Sequence, residues 1–156
     1  MIIKRILVPV DFSPTSEGAL AYARELARTF GSALHVLHVV PDPGAQPWSA
    51  ESFVISPNVI RAQWEREATV QLEALIPPSQ RTGDIRVTTR VGSAVEEILE
   101  YAQDVGIDLI VMGTHGRGRI AHALLGSVAE RVVRKASCPV LTLRSTHYGE
   151  LTAAAS

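Results

Sequence analysis

Two signatures alternate along this chain: short apolar runs, and longer stretches with apolar residues every three or four positions. Ile6-Leu7-Val8-Pro9-Val10 is scarcely interrupted by polar residues, which predicts a first strand buried on both faces. Ser13 is a good helix N-cap with Pro14 in the first helical position, and Ala19, Leu20, Ala23, Leu26, Ala27 and Phe30 recur at helical spacing up to a stop at Gly31. Leu34 to Val40 predicts a second strand. Val59 to Ile76 predicts a long amphipathic helix with Ile60, Trp64, Ala68, Leu72 and Leu75 on its buried side, ended by Pro77-Pro78. Ile85 to Val91 alternates, as a strand with one wetter face does at a sheet edge. Ser93 and Glu96 have capping-box spacing and open a helix through Val95, Ile98, Leu99 and Ala102 that Gly106 ends. Leu109 to Met112 and Pro139 to Leu143 predict the last two strands.

The strand at Leu109 runs into the most informative stretch, DLIVMGTHGRGRIAHALLGS, residues 108–127. Gly113 stops the apolar run, Gly116 and Gly118 follow, and Gly126-Ser127 precede a second helical pattern with Val128, Val132, Val133 and Ala136 on one face. Ser127 and Glu130 again have capping-box spacing. Strand, glycine-rich loop and helix in this order suit a phosphate, because glycine admits close approach and a helix N-terminus offers unpaired N–H donors and partial positive charge. A flexible connection with ordinary caps is the competing reading of the glycines alone. The Gly-Lys-Ser/Thr ending of a Walker loop is absent, and so is the tight G-x-G-x-x-G of dinucleotide folds.

Repeated strand and helix units, five strands and four helices, predict an α/β fold with a parallel sheet, helices on both faces and right-handed crossovers. A length of 156 residues favours one domain, residues 1–145, followed by a tail, 146–156, without an apolar face. No apolar run has the roughly 18 residues of a membrane helix, and the start of the chain lacks a signal-peptide pattern. With one cysteine, Cys138, no internal disulfide forms; a small buried thiol is the simpler reading, and a cytoplasmic location fits. A formal net charge of −1 gives no footprint for nucleic acid. Arg131, Arg134 and Lys135 read as a solvated helix face, whereas Arg117 and Arg119 lie within the candidate phosphate loop. His35 and His38 lack partners at metal-ligand spacing and read as partly buried strand residues. Pro41 to Pro57 reads as a long loop in which Trp48 and Phe53 pack.

The spacing Gly113-x-x-Gly116, nine residues, then Gly126-Ser127 resembles the G-2x-G-9x-G-(S/T) nucleotide motif of the universal stress protein family. The opening KRILVPVDFSPTSEGAL, residues 4–20, and the ending GSVAERVVRKASCPVLTLR, residues 126–144, resemble the same family, so the likeness spans roughly residues 3–145. It implies a Rossmann-like open parallel five-stranded sheet of order 3-2-1-4-5. In such a sheet ligands bind outside the carboxyl ends of the first and fourth strands, where Asp11 and Gly113 lie. Asp11 has two readings: a cap for the following helix, or an acceptor for ribose hydroxyls. The resemblance favours ribose. It also implies adenine against the backbone of Val39 and Val40, Gly113 near the ribose, and Gly116, Gly126, Ser127 and Val128 around the phosphates. Pro9 and Met112 are candidates for the base pocket and equally good core residues; Val10, Thr114, His115, Arg117 and Gly118, nearby in sequence, are the remaining nucleotide-binding candidates.

Members of that family that keep the glycine motif bind ATP, and this chain keeps every position, so the resemblance implies ATP, with Mg²⁺ a candidate companion of its phosphates. No kinase catalytic-loop pattern and no Walker lysine is present, and the HIGH and SGGxDS signatures of related adenylyl-transfer enzymes are absent. The expectation is therefore an ATP-binding stress-response regulator with little or slow hydrolysis and no catalytic residue. The alternative is a slow ATPase or nucleotidyl-transfer enzyme on the same fold; a third reading is a partner protein with an empty crevice. The last strand, Pro139 to Leu143, is expected at a sheet edge, and the resemblance implies a homodimer through it. No nucleic-acid or membrane partner is expected.

Overall fold

The computed structural model describes residues 2–45, 56–81, 83–114 and 125–144. Five parallel strands, β1 (Arg5–Pro9), β2 (Ala33–Val40), β3 (Ile85–Val91), β4 (Leu109–Gly113) and β5 (Val140–Leu143), form one sheet in the order β3-β2-β1-β4-β5. Four helices connect them: α1 (Pro14–Phe30), α2 (Pro57–Leu75), α3 (Ala94–Val105) and α4 (Ser127–Lys135). The Rossmann-like doubly wound architecture expected from the alternation is the one observed.

The uninterrupted apolar runs are explained by two cores, one on each face of the sheet. Side chains alternate faces along a strand. In β1, Ile6 and Val8 join one cluster with Ala19, Leu20 and Ala23 of α1 and Leu72 of α2, while Leu7 joins the other. That second cluster holds Ile110 and Met112 of β4, Val95, Ile98 and Tyr101 of α3, and Ala129 and Val132 of α4. A strand that feeds two cores takes a polar residue in its middle only where that residue is hydrogen-bonded, as His35 of β2 is to Tyr101. β3, at the edge, has no fully buried residue, which accounts for its polar alternation. Asp108 fixes the start of the central pair: its Oδ2 accepts the N–H groups of Lys4 (2.8 Å) and Arg5 (2.9 Å).

Helix α1 starts and stops where local chemistry dictates. Ser13 caps it through a bond from Ser16 N–H, Pro14 follows, and Gly31 takes the left-handed conformation (φ 65°) that closes it. Phe30 is an exception to the expected stripe. It lies on the core-facing side by angle, yet it is 53% exposed, because the burying face of α1 runs out before its last turn. α2 begins at Pro57, two residues earlier than the periodicity indicates, since proline suits a first helical turn. Ser93 stands at the N-cap of α3, but its side chain makes no capping bond; the expected capping box does not form. Val133 of α4 is likewise 45% exposed rather than on the buried face, which Ala129 and Val132 supply. No described helix is long and apolar enough to cross a membrane. The segments containing Trp48 and Phe53, and the tail from residue 145, lie outside the described residues.

Candidate functional site

The site is built where β1 and β4 end side by side. Val10 N–H still donates to Leu37 O (2.8 Å), and then the chain leaves the sheet at Asp11 and Phe12. Phe12 adopts a left-handed φ of 62°, a conformation that costs a residue with a Cβ roughly 1–2 kcal/mol. Packing offsets it. The Phe12 ring joins the apolar cluster under α1 and lies 4.5 Å, centroid to centroid, from the ring of His38, whose Nδ1 is 2.8 Å from Val10 O. This turn throws Asp11 into a network at the start of α1. Asp11 Oδ1 accepts Ser13 N–H (3.1 Å) and the Ser13 hydroxyl, and Ser13 Oγ accepts Ser16 N–H (3.2 Å). Asp11 N–H donates to Ser16 Oγ (3.3 Å), whose hydroxyl donates to Ser13 O (3.0 Å). The cap itself is Ser13, so Asp11 does not cap α1 directly as one reading expected; its Oδ1 holds the capping residue in place, and the same bonds fix the direction of its carboxylate.

β4 ends under the same helix turn. A Cβ built on Gly113 would lie 2.8 Å from Thr15 Cγ2 and 3.0 Å from the Thr15 carbonyl carbon. Gly113 is thus glycine because the first turn of α1 rests on its backbone. Thr114, buried, continues the ladder by donating its N–H to Leu143 O (2.8 Å), and its own carbonyl accepts Gly126 N–H. That last bond joins the end of β4 to the start of α4. It also moves the helix boundary. Gly126, not Ser127, is the N-cap of α4; Ser127 is the first helical residue and Glu130 N–H donates back to Gly126 O (2.9 Å). The Ser127–Glu130 capping box is not formed, since the N-cap Gly126 has no side chain to supply a capping bond. Because Gly126 N–H is already bonded, the N–H donors that this mouth turns outward belong to the first turn, Ser127 and Val128 onward.

β2 runs three residues past Pro9↔Leu37, the last paired position of β1. In a parallel strand, successive residues direct their backbone groups to opposite neighbours. Ala33 N–H bonds Lys4 O and Leu37 O accepts from Val10, so odd residues face β1; Leu34 N–H bonds Asp84 O and Val40 O accepts from Gly92 (2.9 Å), so even residues face β3. Val39 is thereby directed to the β1 side, at the level where β1 has left, and the Val40 carbonyl is already taken.

The sequence candidates fall into three groups. Pro9, Asp11, Val39, Gly113, Gly126, Ser127 and Val128 lie at the carboxyl ends of β1, β2 and β4 and the start of α4. Val10, Val40, Met112 and Thr114 are at the same level, but their side chains are buried. His115, Gly116, Arg117 and Gly118 lie outside the described residues. Among the described residues no three His, Cys, Asp or Glu side chains converge as a metal site. The spacing did not reveal Phe12, Thr15 or Ser16. The i, i+2 and i+5 spacing of Asp11, Ser13 and Ser16 is the signal that indicates the network; nothing local indicates the left-handed Phe12.

Residues 3–144 match the family described as the universal stress protein family. The chain is 29% identical over 156 residues to Universal stress protein MJ0577 of Methanocaldococcus jannaschii, covering 92% of this chain and 96% of that one. The solved structure of MJ0577 superposes with a TM-score of 0.79 at 32% identity, covering 92% and 97% of the two chains. A universal stress protein solved in complex with cAMP matches with a TM-score of 0.61 at 27% identity, covering 94% and 100%. One from Archaeoglobus fulgidus in complex with dAMP matches with a TM-score of 0.60 at 26% identity, covering 91% and 98%. The strand order and these matches agree, and the chain belongs to the universal stress protein family.

Proposed function

We propose that this protein is an ATP-binding stress-response regulator that hydrolyses its nucleotide little or slowly. The observation that carries the reading is the convergence of Asp11 and Gly113, about 100 residues apart in sequence, at the adjacent ends of β1 and β4. This is the switch point of the sheet, where open α/β folds bind ligands. Relatives solved with cAMP and with dAMP support an adenine nucleotide as the ligand class.

In this reading the adenine is met by the Val39 backbone, which the strand parity directs into the crevice; Val40 contributes shape, with Pro9 and Met112. Asp11, its Oδ1 bonded to Ser13, offers its carboxylate to the ribose. The phosphates lie against the first turn of α4, Ser127 and Val128, where the helix dipole favours an anion. Gly126 closes the loop there, and the family motif adds Gly116 and Gly118, with Thr114, His115 and Arg117 as neighbours. The triphosphate supplies most of the ligands for any Mg²⁺. In this reading Asp11 is committed to Ser13 and the ribose, and His38 packs on Phe12 with its Nδ1 at Val10 O, so little hydrolysis is proposed. The dimer is proposed to form through β5, whose four residues are all half-buried and whose outer edge has no neighbouring strand among the described residues. A cytoplasmic location completes the proposal.

The test is to heat-release and identify nucleotide from protein purified without added ligand, then titrate ATP, ADP, AMP and cAMP with Mg²⁺. ATP near one per chain is expected, and replacing Gly126 by a bulky residue is expected to abolish it in a folded protein. Failure of every adenine nucleotide to bind refutes the proposal.

A further inference from the structure

A second polar cluster lies away from the crevice, inside the core between the sheet and α3. His35, in the middle of β2, is 2% exposed, and its Nδ1 is 2.9 Å from the hydroxyl of Tyr101 on α3, itself 7% exposed. The two rings meet edge to face, 5.9 Å between centroids. The guanidinium carbon of Arg90 on β3 lies 5.1 Å from the centroid of the Tyr101 ring. Arg90 is held there by Asp104 (3.0 Å), Glu97 (3.5 Å) and Glu100 (3.7 Å), all from α3. One tyrosine thus joins α3 to β2 by a buried hydrogen bond and to β3 through a cation.

We propose that the His35–Tyr101 contact is an acid-sensitive latch that seats α3 on the sheet, and that protonating His35 loosens it. The neutral imidazole shares one proton with the Tyr101 hydroxyl. A second proton would leave a buried charge whose hydrogen-bond partner among the described residues is that neutral hydroxyl, and the Tyr101 ring already faces the Arg90 cation. The charged groups that act on His35 are Arg86 from β3, Arg5 from β1 and Asp84 before β3; two of the three are cations. Burial first, then Arg86 and Arg5, hold the imidazole pKa below its ordinary 6.5, against the opposite pull of Asp84. A lowered folded-state value means that the opened state binds the proton better. Stability is therefore full above the ordinary value, and falls as pH drops below it, until the folded-state value is reached. α3 packs on α4, so acid should also weaken nucleotide binding; that consequence rests on the nucleotide proposal, whereas the latch does not.

The test is amide hydrogen exchange on the full chain without nucleotide, corrected for intrinsic rates, at pH 7.5 and pH 5.5. One proton changes the opening equilibrium by at most about tenfold per pH unit. Amides of α3 are expected to open several-fold, and at most about tenfold, more at the lower pH, because only the part of the interval below the ordinary value counts, with β1 and α1 little changed. In a His35→Leu/Tyr101→Phe double variant the pH dependence of α3 should vanish. Equal opening of α3 at both pH values, or loosening shared equally by β1 and α1, overturns the latch. Should the variant not fold, an NMR titration of the wild-type His35 imidazole decides: a midpoint below that of free histidine supports the latch, and one at or above it refutes it.

Discussion

Replacing Gly113 by alanine isolates the contact on which the crevice is built. The φ of Gly113 is outside the left-handed region, so the substitution carries no backbone strain. Its cost is steric. The new methyl would lie 2.8 Å from Thr15 Cγ2, 3.0 Å from Thr15 C and 3.1 Å from Thr15 Cβ, against about 3.5–4.0 Å at optimal carbon contact. One of those atoms is backbone, so rotating the Thr15 side chain cannot relieve the clash, and the first turn of α1 has to move off β4. Overpacking of this kind costs about 1–3 kcal/mol, which for a chain of this size lowers Tm by about 2–12 °C. Urea unfolding at fixed pH reads it as a lower midpoint at unchanged slope. Thr15→Ala provides the internal check. It removes Cγ2 but leaves the contacts to C and Cβ, so it should recover part of the loss in the Gly113→Ala background and none in the wild type, a coupling of about 0.5 kcal/mol or more. Wild-type stability of Gly113→Ala, or strict additivity with Thr15→Ala, would refute the argument that helix approach dictates this glycine.

Two further outcomes follow from single buried groups. Among the described residues Arg24 on α1 buries Nε and Nη2 without a hydrogen-bond partner, an arrangement that costs about 1–3 kcal/mol per group. Arg24→Met keeps the aliphatic stem and should leave stability unchanged or raise it in urea unfolding; a loss beyond about 1 kcal/mol would show that the guanidinium has a stabilising partner. Cys138 is half-buried just before β5, and burial pushes its thiol pKa above the ordinary value. Iodoacetamide at pH 7.5 should alkylate the native protein more slowly than the urea-unfolded chain, and equal rates would contradict that burial.

How much of this was legible in the sequence depended on whether the cause of each feature is local. The strands, and the caps at Ser13, Gly31 and Gly106, were legible because a run of apolar residues or a left-handed glycine acts on its own neighbours. The start of α4 was not. Ser127 has the better capping side chain, yet Gly126 takes the position because its N–H is drawn to Thr114 O, a residue at the end of another element. Phe30 kept the right spacing and is still exposed, because periodicity gives a direction around a helix but not how far the core beneath it extends, whereas Val133 lies off the face that Ala129 and Val132 bury. The pairing of His35 with Tyr101 joins residues 66 apart and exists only once the strand order is known.

The site shows the same division, with a consequence for function. Asp11 and Gly113 were legible as candidates from their positions at strand ends, but a ligand is not needed to explain either residue. Asp11 fastens the start of α1 through Ser13 and Ser16, and Gly113 lets that same turn approach β4. The two residues proposed to meet the ribose are also the ones that position the helix turn roofing the ends of β1 and β4. Asp11→Asn keeps an oxygen to accept from Ser13 while removing the charge, whereas Asp11→Ala removes both. If the carboxylate binds ribose as well as holding the cap residue Ser13, the asparagine variant should keep most of its stability and lose nucleotide affinity, and the alanine variant should lose both, by about 1–3 kcal/mol in stability. Unaltered nucleotide affinity in a stable asparagine variant would leave Asp11 with the cap alone.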